Sequence, residues 1–288
     1  VYLSGGLDSR TILGFVHGQV PVVTITYGVP GCRDVVYAAE LARRAGSDHH
    51  WFPLNDGLWV LQYWQLHLAL TEGMHSWMHA HGISTLAKAR SLIDASLTGW
   101  DGGTLLGGSI DFYNDRIYRY APSEVDLVQR FYDAFCQRFT WPGLTEAEAA
   151  SLSPGRSVGW ARGLAFDSLR DELAKTAHYP PDRRADYFYI NQVLRRSLQN
   201  QVVTTRSSIE VRCPYFDYDL IDFVYSLPES IRITPALRRA VITRRAPRLA
   251  MVPYEKDNCL PHSSRLLRTT QASWQRIKRW VNRRVPLL

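Results

Sequence analysis

The chain has 288 residues, with 34 basic against 27 acidic side chains for a net charge of +7, 45% apolar and 21% charged residues. That is ordinary globular composition with enough core for one large domain or two intimate ones, which excludes a disordered or fibrous protein. No apolar run reaches membrane-spanning length, no secretory leader is visible, and cysteines 32, 136, 213 and 259 lack the C-x-x-C spacing of a zinc site; the thiols read as those of a reducing compartment, and a cytoplasmic location is expected.

The first element is a short apolar strand, Val1-Tyr2-Leu3, running into Ser4-Gly5-Gly6-Leu7-Asp8-Ser9 and then an apolar segment from Thr11 that opens a helix. Glycines let a ligand approach the backbone, and free amides at a helix start favour an anion. Ser4 and Ser9 add hydroxyl donors. Asp8 would repel a phosphate unless a divalent cation lies between them, and Mg²⁺ is the ion expected there. The pattern is neither G-x-G-x-x-G nor a Walker loop ending in Gly-Lys-Ser/Thr. On its own, such a run is also common surface-turn chemistry.

VPVVTITY, residues 20–27, reads as a second buried strand, 33–45 as a helix stopped by Gly46, and 50–54 as a third strand or its edge. This alternation predicts a doubly wound, mostly parallel α/β sheet whose strand ends carry the ligands. Residues 58–72 read as helical. His75, His79 and His81 follow, and packed or pocket histidines are the better reading there than a metal site. Further helices are expected over 84–96, 124–139, 164–178 and 186–200, with a polar aromatic loop at 111–120 and a loop at 144–159. The basic stretch from 264 to 284, with Trp274 on one helical face, reads as a docked terminal helix more readily than as a nucleic-acid or membrane surface.

Ser4–Ser9 resembles the pyrophosphate-binding loop of the PP-loop ATP pyrophosphatases, and later segments narrow the resemblance to the synthetase domain of the asparagine synthetase family. Gly99-Trp100-Asp101-Gly102-Gly103-Thr104-Leu105-Leu106-Gly107-Gly108 is similar to its second ATP/Mg segment. Ile209 through Asp217 (IEVRCPYFD) is similar to E-x-R-x-P-F-x-D. Leu227-Pro228, Leu237-Arg238-Arg239-Ala240 and Lys256 follow in the family's order. The resemblance implies an adenine nucleotide alpha-hydrolase-like fold: an α/β core over about 1–125 and a largely helical part over about 126–288. The glutaminase domain that normally comes first in the family is absent from this sequence, and the chain is expected to begin inside a longer protein.

The implied activity is that of an ATP-dependent, AMP-forming carbon–nitrogen ligase, asparagine synthase-like and glutamine-hydrolysing, serving amino-acid biosynthesis. A carboxylate attacks the α-phosphorus, pyrophosphate leaves, and an amine or ammonia displaces AMP. Ser4, Gly5, Gly6, Leu7, Asp8, Ser9 and Gly99 would hold ATP, with Thr26, Tyr27 and Gly28 facing adenine or ribose. Asp8 and Asp101 would hold Mg²⁺. Lys256 would be the cation on the α-phosphate, Arg212 a phosphate or substrate ligand, and Glu210 an orienting group for the amine, although Glu210 and Arg212 could equally pair with each other. The chain departs from the family where Gly103 stands in place of the second Mg-binding Asp, Thr104 in place of Glu, and Trp100 where asparagine synthetases carry Glu. The usual Arg ahead of Lys256 is also missing. These changes leave β-lactam or lasso-peptide macrolactam synthesis open as alternatives to aspartate chemistry. A tRNA-modifying PP-loop enzyme and a non-catalytic PP-loop domain also remain open. Expected partners are a small-molecule or peptide carboxylate and an amine donor, without membrane or nucleic acid.

Overall fold

A computed structural model describes residues 1–54, 57–106, 123–138, 151, 155, 158–232, 234–264, 266–271 and 273–274. The expected loop at 111–120, most of that at 144–159 and the basic tail beyond 274 lie outside the described residues. The chain divides into two compact units, one made of residues 1–109 with 199–288 and the other of 110–198. This division differs from a boundary near 125, because the C-terminal stretch returns to supply a strand and several helices to the first unit.

In the first unit, the residues ahead of the glycine loop bond in parallel to β1 (Val23–Gly28). The Leu3 amide donates to the Ile25 carbonyl at 2.8 Å and the Ile25 amide to that of Val1 at 2.9 Å. β1 pairs in parallel with β2 (Asp48–Pro53), Val23 opposite Asp48 and Gly28 opposite Pro53. β3 (Ala95–Leu97) pairs in parallel with β4 (Glu210–Arg212). All the ladders are parallel, as a crossover α/β fold requires. Among the described residues they form two separate two-stranded sheets rather than one continuous doubly wound sheet. Residues 95–97, expected to close a helix over 84–96, are strand instead, because their hydrogen bonds go to β4. The helix shrinks to α4 (Leu86–Arg90) behind a 3₁₀ segment, Trp77–Thr85. The π-helical stretch Tyr189–Leu198 likewise replaces the plain helix expected over 186–200.

Helices cover the strands through apolar clusters. α1 (Asp8–Val16) and α2 (Arg33–Ala45) meet Ile242, Ala246 and Leu249 of the C-terminal helices through Leu13, Ala38, Leu41 and Ala42. α2 ends where Gly46 turns left-handed, at φ 67°, and its amide caps the last carbonyls. On another side, Ile25 of β1 is buried with Ile83, Leu86, Ala89 and Ile209. Leu97 of β3 packs against the cluster that holds Val1, Ile12 and Tyr215.

The second unit is helical. Its described elements include α6 (Glu124–Arg138), α7 (Val158–Ala174) and α8 (Pro181–Phe188), numbered after α5 (Gly102–Leu105) of the first unit. Buried Phe131, Leu169 and Leu173 join them, and the Arg184 guanidinium bridges Glu124 to the Leu173 carbonyl.

α3 (Trp59–Thr71) and the turn after it bury two imidazoles tilted at 43° to each other, with His67 Nε2 and His75 Nδ1 3.2 Å apart and His79 stacked on His75. Among the described residues no group of three or more potential ligands could hold a metal ion. Burial first, then the neighbouring His79, His67 and His81, depresses His75 from 6.5 to about 4. A histidine depressed on folding binds its proton more readily in the unfolded chain. Its contribution is therefore intact above about 6.5 and is lost as pH falls toward about 4. The urea midpoint of the wild type is expected to drop further between about pH 7 and about pH 5 than that of His75→Gln. Parallel pH profiles would contradict the assignment.

Candidate functional site

The glycine loop is held open by its neighbours. The Ser4 amide donates to the Ser9 hydroxyl at 3.1 Å, and the Gly6 amide to the Ser4 hydroxyl at 3.2 Å. The Gly5 amide donates to Asp34 Oδ1 at 2.9 Å. Behind the loop, buried Arg10 donates to the Gly5 carbonyl at 2.9 Å and to the Val252 and Pro253 carbonyls at 2.6 and 2.8 Å. α1 then starts at Asp8 with no side-chain cap from Leu7, and Gly6, Asp8 and Ser9 at its start border the space in front of the loop.

That space is a cleft of about 560 Å³, the size of an ordinary small-molecule site. Of the expected nucleotide-binding residues, Ser4, Gly6, Asp8, Ser9, Thr26, Tyr27, Gly28 and Gly99 line it, and so does the metal candidate Asp101. Gly5 and Leu7 sit behind this lining, Leu7 fully buried. Gly99 lies against the start of α1: a Cβ there would stand 2.4 Å from the Ser9 amide nitrogen. Only glycine lets the strand-end segment approach the loop this closely.

The cleft is acidic. Asp8, Asp34 and Asp101 all line it, and no Lys or Arg stands among its described lining residues. Asp101 adopts the left-handed region at φ 55°, tolerable for an aspartate but uncommon. Its Oδ1 accepts the Thr104 hydroxyl, while its Oδ2 is buried without a hydrogen-bond partner. Burial, opposed by the Thr104 bond and reinforced by the charge of Asp8, lifts its carboxyl to about 6. Asp8 meets Arg238, a guanidinium only 1% exposed, in an ion pair, and its carbonyl accepts the Tyr215 hydroxyl at 3.0 Å. Removing Asp8 would take this carboxylate partner from a buried guanidinium, a destabilising change. An orphaned carboxylate oxygen on Asp101 beside the charge of Asp8 fits a hard cation such as Mg²⁺, which takes few protein carboxylates and completes its shell with phosphate and water.

The structure does not bring the remaining candidates into this cleft. Glu210 and Arg212 project from β4 into solvent and pair with each other at 2.5 Å. Lys256 is exposed on the segment 252–261, one residue after Glu255, whose amide donates to the Gly5 carbonyl at 3.3 Å. Arg239 anchors the same segment through Asp257 at 2.5 Å. Burial, and then the charge of Asp34, raises the Glu255 carboxyl to about 7. Asp34, Arg10 and Arg238 form part of this apparatus without having been expected from the sequence. The available signals were an acid in the first turn of the helix over 33–45 and the Leu237–Ala240 segment, which carries the family's order but states no role.

An acid whose carboxyl is raised on folding favours the folded state at low pH, and that contribution is lost as pH rises through about 6. Asp101→Asn is therefore expected to raise the thermal midpoint of the ligand-free protein at about pH 8 and to have little effect near about pH 4, while weakening Mg²⁺-dependent nucleotide binding. Equal midpoints at high pH would contradict the burial of this charge.

The match to the family described as Asparagine synthase covers residues 1–285. No curated protein matches the chain. The geometry and the match converge on one conclusion: this chain belongs to the asparagine synthase family and carries its synthetase domain.

Proposed function

We propose that the protein is an AMP-forming amide ligase: it adenylates a carboxylate at the α-phosphorus of ATP and passes the acyl group to an amine or to ammonia. The family uses ATP as a substrate and implies carboxylate and amine or ammonia substrates. The observation that carries the reading is the uncapped start of α1 facing the 560 Å³ cleft, between the Ser4 and Ser9 hydroxyls and the paired carboxylates Asp8 and Asp101.

In this reading the first-turn amides of α1 and the hydroxyls of Ser4 and Ser9 receive the β- and γ-phosphates, and Thr26, Tyr27 and Gly28 flank the adenosine end. Asp8 and Asp101 would hold Mg²⁺, which when bound neutralises phosphate charge and polarises the phosphoryl oxygens. The substrate carboxylate oxygen attacks the α-phosphorus as its bond to the bridging oxygen breaks, and the electron pair leaves with pyrophosphate. The amine then attacks the acyl carbon and loses a proton, and the acyl–oxygen bond breaks to release AMP. Lys256 is assigned to charge developing on the departing pyrophosphate, which requires its exposed side chain to fold toward the loop beside Glu255. Positioning and charge stabilisation of this kind account for most of the rate in such transfers. Glu210 and Arg212, paired in solvent, carry no step.

Asparagine synthesis from aspartate is the form of this chemistry that the family resemblance suggests, and Trp100 in the place of a carboxylate is the local feature that argues for another acyl donor. Phosphorus NMR of a turnover mixture is expected to show AMP and pyrophosphate in equal amounts. ADP and inorganic phosphate as the products would contradict the mechanism. Lys256→Ala is expected to lower kcat about a hundredfold with a smaller change in nucleotide affinity. An unchanged kcat would remove Lys256 from the reaction.

A further inference from the structure

A second, smaller cavity of about 60 Å³ opens from the nucleotide cleft. The two share Tyr2, Tyr27, Thr98, Trp100 and Gln201 as a common wall. Beyond that wall the recess is lined by Ile83, Leu86, Val202 and Val211, with Thr204, Thr205 and His79 as polar members; burial lowers the His79 imidazole below its usual range, which favours its neutral form, and none of the described lining residues is Asp, Glu, Lys or Arg. The nearby Arg206 guanidinium donates to the Val211 carbonyl at 3.0 Å rather than lining the recess. Trp100 turns the corner between the two spaces, its ring tilted on Phe216 with centroids 5.2 Å apart.

Of the strand-end residues Thr26, Tyr27 and Gly28, only Tyr27 reaches the recess; Thr26 and Gly28 border the main cleft alone, with Val29 and Leu54. Of the three residues assigned to the adenosine end, the recess therefore shares only Tyr27. What enters the recess is attached to the other reactant. We propose that the recess receives the flank of the acyl donor, and that this flank is an uncharged, short aliphatic group rather than the ammonium and second carboxylate of a free amino acid such as aspartate. The inference rests on the ligase reading above and names the substrate class for that site. A free ammonium or carboxylate placed here would lose its water and meet no counter-charge among the described lining residues, a strongly unfavourable exchange. The volume has room for on the order of four water-sized groups, which matches a branched aliphatic chain better than an indole.

The test is carboxylate-driven exchange of labelled pyrophosphate into ATP, which needs no amine, run with isovalerate, N-acetyl-leucine and aspartate. Nucleotide affinity is measured separately with a fluorescent ATP analogue. The expected result is exchange about tenfold or more faster with one of the two aliphatic acids than with aspartate. Thr205, half-buried at the rim of the recess, provides the variant. Thr205→Phe is expected to cut the aliphatic rate about tenfold with nucleotide affinity unchanged. If that variant fails to fold by circular dichroism, the wild-type acid series decides. Aspartate matching or exceeding both aliphatic acids would overturn the inference. So would a folded Thr205→Phe that loses nucleotide affinity, or aliphatic acids that drive no exchange while nucleotide still binds. Wild-type protein that binds no Mg-ATP would instead remove the ligase reading itself, and the inference with it.

Discussion

Three carboxylates that border one space without a lining cation among the described residues are the constraint on which the site is built. Asp8, Asp34 and Asp101 line the cleft, and no Lys or Arg stands among its described lining residues. Each acid is managed differently. Asp8 meets the buried Arg238, Asp34 accepts the Gly5 amide, and Asp101 is pushed toward its protonated form with one oxygen unpartnered. A polyanion could not enter such a space by charge attraction to the walls. In the proposed reading a divalent cation accompanies it, and the amides at the start of α1 act as donors.

Three buried arginines connect this arrangement to the far end of the sequence. Arg10 joins the Gly5 carbonyl to Val252 and Pro253, Arg238 reaches Asp8 from the C-terminal helices, and Arg239 holds Asp257. Guanidinium groups suit this work because each satisfies several carbonyl or carboxylate oxygens at once and stays charged when buried. The segment carrying Lys256 is thus tied to the loop through Arg10 and the Glu255 amide, and to the C-terminal helices through Arg239, while Lys256 itself is exposed.

Much of this was legible from residues. Ser4–Ser9 announces a glycine turn running into a helix, and the alternation from residue 20 to 54 gives β1, α2 and β2 with little error. Gly46 ends α2 where a glycine in a helix-stop position should. The interplay of distant segments was not legible. Ala95-Ser96-Leu97 has helical neighbours and no strand signature; it becomes β3 only because Glu210-Val211-Arg212 lies beside it. The same pairing sends the side chains of Glu210 and Arg212 into solvent and toward each other. Asp101 could be proposed as a carboxylate near the loop, but its orphaned oxygen depends on a left-handed backbone turn and on burial that only the folded chain supplies. Asp34 and Arg238 act through long-range contacts that leave no periodic trace.

The central claim is that nucleotide enters this cleft only in company with a divalent cation, because Asp8 and Asp101 would otherwise repel it. The most direct measurement is the affinity for a non-hydrolysable ATP analogue in excess Mg²⁺ and again in chelator. The account predicts binding tighter by about tenfold or more with the metal, and a difference that largely disappears when both Asp8 and Asp101 are replaced by asparagine. Equal affinity in the two conditions for the wild-type protein would contradict it.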